Sequence, residues 1–235
     1  MPSSTTVIIA LRYSAGVVFA SDSQTSDPVH NVRWPTTKAR QVGEHPLVLG
    51  FSGNTGVSGR ARASVEERGL RPTTFQRRER VRNMIEGALK PHYDWIAEQM
   101  RPDSAFGQVV GAPQMVALAA CFAEGQPQVI EFEANGDSDF HDYFHAIGSG
   151  ASTAYAVWRT LGGRRLRGLG EGRAVHVGLR IMRTAVAVDM MGVSEPYTVF
   201  VIDKDGARQL PSADVDSEMQ AVQEWEEQQI QQLLE

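Results

Sequence analysis

Apolar residues open this chain in short, nearly unbroken runs. TVIIALRY at 6–13 and VVFAS at 17–21 are joined by a Gly-containing connection and read as a β-hairpin. Neither run alternates polar with apolar, so both faces of these strands are expected to be buried. KARQV and PLVLGFS, with GlyGluHis between them, read as a second pair. The chain thus opens with about four strands, and the stretch SQTSDPVHNVRWPTT between the pairs reads as a loop. Helical patterning follows from Thr55 to Arg68. It resumes at ThrThr 73–74, a cap signal, and runs to Met100, with Pro91 expected to kink or break it. Strand patterns return at 114–123, 127–133 and 143–148. Next come a helix over 151–161, the loop GGRRLRGLGEGR, a helix over 174–190 and the strand YTVFVID, which turns at Asp205–Gly206. From Asp214 a terminal helix carries Met219, Val222, Trp225, Ile230 and Leu233 as an apolar stripe.

This order, strands, helices, strands, helices, strands, lacks the βα alternation of a doubly wound sheet. It predicts an α+β fold in which two mainly antiparallel sheets pack face to face with helices outside both, a four-layer αββα sandwich. No internal repeat or interdomain linker is evident, so residues 1–235 are expected to form a single domain.

Composition changes this picture little. The chain has 235 residues, 42% hydrophobic and 22% charged, with a formal net charge of −5, which argues against a nucleic-acid-coating surface. One cysteine cannot form an internal disulfide, and Cys121, within MVALAACFA, reads as a small buried hydrophobe. No apolar run approaches the ~20 residues of a membrane helix, and MPSSTT lacks the marks of a signal peptide. A cytoplasmic location is expected. The basic residues are mostly arginine, and the lysines are Lys38, Lys90 and Lys204. A lysine can shift its pKa and take part in proton transfer where arginine effectively cannot, so each lysine is worth inspecting.

Several patterns carry weak chemical signals. HDYFH sets His141 and His145 four apart, a metal-like spacing on a helix, but the segment leads into a strand-like run and offers no third ligand. GSGAST at 148–153 lacks the lysine of a P-loop and reads as a packing turn. The arginines between Arg60 and Arg82 are interrupted by Glu66, Glu67 and Glu79, and read as a solvated helical face or a subunit contact.

The strong signal is at the start. A ThrThr pair opens the first strand, Asp22 closes the second and Lys38 begins the third, so Thr6, Asp22 and Lys38 can converge at one end of a sheet if those strands are neighbours. A threonine hydroxyl is a weak nucleophile until a base takes its proton. An α-amino group, with a reference pKa of about 8, can be that base only if the threonine is the first residue of the mature chain. A nearby ammonium stabilises charge developing on the hydroxyl oxygen, and an aspartate holds and compensates the lysine.

These residues resemble the proteasome β-subunit family of N-terminal threonine hydrolases, in which an acid follows the nucleophile by 16 residues and a lysine by 32, the spacings of Asp22 and Lys38 from Thr6. GVVFASDSQ is similar to the family's second strand, GFSGNTG to its substrate-binding strand end, AIGSG at 146–150 to its turn before a helix, and AVAVDMMG to a helix end. The resemblance covers residues 5 to 210 and is most specific over the first 56. It implies the N-terminal-nucleophile hydrolase fold with Thr6 as nucleophile and its amine as base, Lys38 and Asp22 tuning the pair, and Ser149 and Asp189 bonding near the amine. It also implies the Gly53 N–H as an oxyanion donor and Thr25, Phe51 and Thr55 lining the pocket. The implied activity is a threonine-type endopeptidase acting on peptides or unfolded proteins inside a homo-oligomeric ring or related assembly. An ATPase unfoldase would be a partner, and no metal, organic cofactor, nucleic acid or membrane is implied.

The sequence departs from that pattern in places. MPSST precedes Thr6, where the family has Gly or the initiator Met, so residues 1–5 would be a short propeptide. The β-branched Thr5 crowds the self-cleaving attack, and Thr5 is itself the mature terminus if the hairpin carries one extra residue. Gly192 stands where the family often has a serine. The competing reading is a non-catalytic structural subunit that keeps its N-terminal extension.

Overall fold

In the computed structural model, which describes residues 6–27, 32–53, 55–99, 115–188 and 195–234, the two opening apolar runs pair as β1 (Ile8–Arg12) and β2 (Val17–Ser21). Both strands are buried almost throughout, as their lack of alternation requires. Between them and α1 lie β3 (Gln24–Asp27), β4 (Val32–Pro35), β5 (Ala39–Gln41) and β6 (Leu47–Gly53). The outer elements that follow are α1 (Thr55–Glu67) and α2 (Arg78–Gln99), then β7 (Met115–Ala123), β8 (Gln126–Phe132), β9 (Ser138–His141) and β10 (Phe144–Ile147). The chain ends through α3 (Ala151–Thr160), α4 (Glu171–Val188), β11 (Thr198–Asp203), β12 (Gly206–Gln209) and α5 (Ser212–Leu234).

Two five-stranded antiparallel sheets result. One has the order β10-β1-β2-β11-β12 and the other the meander β5-β6-β7-β8-β9. Their facing surfaces meet through Ile8, Phe19, Phe200 and Ile202 from the first sheet and Val48, Leu118 and Val129 from the second. The outer face of the first sheet is covered by α3, α4 and α5, with Leu179, Met182 and Val222 in that core. The outer face of the second is covered by α1 and α2, with Val65, Ile85 and Leu89 in contact with Leu49 and Ala119. This is the four-layer sandwich that the run pattern predicts. Cys121 is fully buried, and burial pushes its thiol up to about 12, so it behaves as a hydrophobe. Among the described residues no helix is long and apolar enough to cross a membrane.

Three local expectations need correction. The stretch read as a loop contains the β3–β4 hairpin, whose QTSD segment is polar and whose VRWP segment is too short to signal a strand, and which forms a separate two-stranded ribbon. The edge strand β9, with sequence SDFH, is missed for the same reason. Helix α2 is not broken at Pro91 but runs continuously through it. Proline lacks the N–H that would bond the carbonyl four residues back, here Gly87, and the guanidinium of Arg68 donates to that carbonyl instead. A Cβ at residue 87 would stand 3.2 Å from the same guanidinium, so the missing side chain makes room for the replacement donor.

Candidate active site

The register of the first hairpin begins the site. Pairing of Ile8 with Ser21 brings Val7 beside Asp22, whose backbone N–H donates to Val7 O at 3.2 Å. The Asp22 carboxylate accepts the Val7 N–H at 2.9 Å on one oxygen and the Gln24 N–H at 3.2 Å on the other. Asp22 is therefore fixed by the backbone around it before any side chain is counted. It is fully buried.

Lys38 arrives from the opposite sheet. It immediately precedes β5, and its carbonyl accepts the Phe51 N–H at 3.2 Å, extending the β5–β6 ladder by one step. Its ammonium donates to Asp22 Oδ2 at 2.7 Å and to the Thr6 hydroxyl at 2.9 Å. Thr6, Asp22 and Lys38 thus converge across the gap between two sheets, rather than at the end of one as the sequence reading expects. Burial pushes the Lys38 ammonium below the usual lysine range, against the attraction of Asp22. Burial likewise raises the Asp22 carboxyl, opposed by Lys38 and by the two backbone donors.

The turn from Gly148 to Gly150 presses against the other side of Thr6. It leaves β10, which pairs with β1 so that Ile8 faces Ile147. Gly148 adopts a φ of +94°, and a Cβ there would lie 2.1 Å from the Thr6 carbonyl oxygen, so only glycine fits. The Gly150 N–H donates to that oxygen at 3.1 Å, and the Thr6 N–H donates to the Ser149 hydroxyl at 3.1 Å. The turn is built to hold the Thr6 backbone, which accounts for its glycines without a phosphate.

Of the other residues singled out in the sequence, Gly53 ends β6 with a φ of +115°, Thr25 lies on β3 opposite Trp34, and Thr55 opens α1. The Phe51 ring is buried in the core beneath α1. Asp189 and Gly192 lie outside the described residues. One contributor escapes sequence reading. Arg62, on α1, lays its guanidinium over Phe51 with 5.5 Å to the ring centre and donates to the carbonyls of Lys38 at 3.0 Å and Thr37 at 3.4 Å. In an arginine-rich helix nothing in the sequence distinguishes this inward residue from its solvated neighbours.

Chemically, the arrangement holds a hydroxyl against a buried ammonium whose counter-charge is immobile. Such a group can steady negative charge on the hydroxyl oxygen in a dry environment, where it is worth most.

No protein-family model and no curated protein matches the chain. Among solved structures it is similar to the Gly-1 mutant of Anbu from Hyphomicrobium sp. strain MC1, with a TM-score of 0.75 and 16% identity over 98% of this chain and 97% of that one. It is also similar to Anbu, the ancestral beta-subunit, from Yersinia bercovieri, with a TM-score of 0.74 and 15% identity over 97% of each chain. At such identities the likeness is one of fold, and it is with a β-subunit sandwich along almost the whole chain.

Proposed function

We propose that this chain is a threonine-type endopeptidase subunit that cleaves peptide bonds inside a self-compartmentalised homo-oligomer. One observation carries the reading: the Lys38 ammonium sits 2.9 Å from the Thr6 hydroxyl and 2.7 Å from Asp22. In the proposed cycle the Thr5–Thr6 bond is cut first, converting the Thr6 N–H into a free amine beside Ser149. That amine takes the hydroxyl proton as Thr6 Oγ1 attacks the substrate carbonyl carbon, and Lys38 steadies the developing charge. The amine then returns the proton to the departing peptide nitrogen, leaving an ester on Thr6 that water hydrolyses. Gly53 N–H would receive the oxyanion, a donor type worth about 3 kcal/mol of barrier. Asp189 would support the amine, and Thr25, Phe51 and Thr55 would line the pocket for the side chain before the cut.

The likeness of fold to Anbu supports an assembly of subunits, and an ATPase that unfolds protein substrates belongs to the same proposal. The segment MPSST before Thr6 favours a second reading, a structural subunit that keeps its extension, because a β-branched Thr5 hinders self-cleavage. Intact mass and N-terminal sequencing of purified protein separate the two. A chain beginning at Thr6, with Thr6→Ala remaining uncut, is the expected result; a chain that keeps residues 2–5 and hydrolyses no peptide overturns the enzyme reading.

A further inference from the structure

His141 and His145 stand on different sheets, one at the end of β9 and the other within β10, so their four-residue spacing spans a turn rather than a helix. Their rings are stacked, with centres 3.6 Å apart and planes 21° apart. The sequence reading lacked a third ligand, and β8 supplies it. The β8–β9 register pairs Val129 with His141, so Glu131 is two residues further along β8. Glu131 Oε2 lies 3.3 Å from His141 Nε2 and 2.8 Å from His145 Nε2. Ligand atoms of all three residues fall within 4.8 Å of one another.

We propose that Glu131, His141 and His145 form a zinc-binding site that clips the edge of one sheet to the other. The chemistry of the donors fits: two imidazole nitrogens and one carboxylate oxygen are a common three-ligand set for zinc, with a fourth position left to water. The spacing is close to that of a zinc shell: bonds of about 2.0–2.1 Å set neighbouring donors roughly 3.3 Å apart, as for Glu131 and His141, and the 2.8 Å Glu131–His145 contact would widen by about half an ångström. Both Nε2 atoms are buried, and each lies close to Glu131 Oε2. Zinc would bind these nitrogens in place of any proton they share with Glu131. The remaining nitrogen of His145, Nδ1, lies 2.7 Å from the Tyr155 hydroxyl, which fixes the ring with Nε2 toward Glu131, the outer support that a metal-binding histidine usually has. The side chains of Glu131 and His141 keep 17% and 26% of their exposure, which leaves an entry path from solvent.

This inference does not depend on Thr6. Its test is to strip the purified full-length protein with a chelator, add zinc chloride, desalt, and measure bound zinc with the melting temperature. One zinc per chain is expected, with a rise in melting temperature of roughly 5–10 °C at zinc well above its dissociation constant. Glu131→Gln and His141→Ala should each lower zinc affinity at least ~100-fold, given that outer-shell changes alone cost 10–100-fold. Cobalt in place of zinc should give the strong visible bands of a four-coordinate site, lost in His141→Ala. Circular dichroism of both metal-free variants guards against misfolding, and His141 is partly exposed, so His141→Ala is expected to fold. No retained zinc, or retained zinc that both folded variants bind equally well, would overturn the proposal.

Discussion

Two groups of ionisable side chains bridge the same pair of sheets, and their surroundings differ sharply. Asp22 and Lys38 meet in nearly complete burial, and both Asp22 oxygens already hold donors from the backbone or from Lys38. Glu131, His141 and His145 meet at a less deeply buried edge, where two imidazole nitrogens lie 3.3 and 2.8 Å from one carboxylate oxygen. The first group is closed: its charges are fixed against each other, and Lys38 also donates to the Thr6 hydroxyl. The second is more open, with donor atoms gathered around one carboxylate oxygen. Closure suits a group that must hold charge steady during a reaction, and openness suits one that waits for an ion.

The contrast can be broken at several points. The largest effect is expected from Thr6→Ala, which should lower peptide turnover by at least ~10³-fold, the scale of losing a nucleophile, with the melting temperature little changed; undiminished turnover would remove Thr6 from the chemistry. Next is Lys38→Met, which leaves Asp22 buried and uncompensated and should cost about 3–5 kcal/mol in denaturant unfolding. Adding Asp22→Asn should restore part of that stability, to a net loss of about 1–3 kcal/mol, because one backbone N–H then loses its acceptor. It should restore no activity. A double variant as inactive but no more stable than the single would show that the cost lies outside the pair.

The pH dependence sharpens the same point. Because the Lys38 pKa is lowered, the unfolded chain binds more protons between that pKa and 10.5, so its contribution to stability rises with pH there. Because the Asp22 pKa is raised, the folded chain binds more protons between 3.8 and the raised value, so its contribution falls as pH rises through that window. The burial cost of the charged pair is therefore greatest between the two folded pKa values. Melting curves of the wild type and the double variant should differ by a pH-dependent amount with its extremum in that interval, and a flat difference would contradict the shifts.

Smaller effects are expected at the open group. Without zinc, Glu131→Gln should cost about 1–2 kcal/mol, since a carboxylate near two imidazoles is replaced by an amide of the same shape. A loss matching that of Lys38→Met would erase the distinction. Least of all, Arg62→Met keeps packing on Phe51 but drops the donors to the Lys38 and Thr37 carbonyls, and should cost about 1 kcal/mol. A fall in kcat larger than that in kcat/KM would mark Arg62 as positioning Lys38 rather than merely stabilising α1.

What the sequence made legible follows the same division. Thr6, Asp22 and Lys38 sit at strand boundaries, and hairpin pairing fixes where such boundaries fall, so their spacing carries positional information. The buried strands β1, β2, β6 and β7 announce themselves because both faces are covered and most positions are apolar. By contrast, β3, β4 and β9 have four residues each, too few to set a pattern, and their pairing comes from neighbours rather than from their own residues. Glu131 was illegible as a ligand because its proximity to His145 depends on how two sheets close on each other. Arg62 was illegible because an inward and an outward arginine are the same letter.

The bond from Arg68 to the Gly87 carbonyl has a further consequence. Proline at 91 and arginine at 68 discharge one duty between them, so their histories are tied. Alanine at 91 would bring back the native amide and make the guanidinium redundant, whereas loss of the arginine with proline still in place would leave the carbonyl to water alone. Among descendants of this chain, the arginine should therefore be free to drift only after the proline has gone.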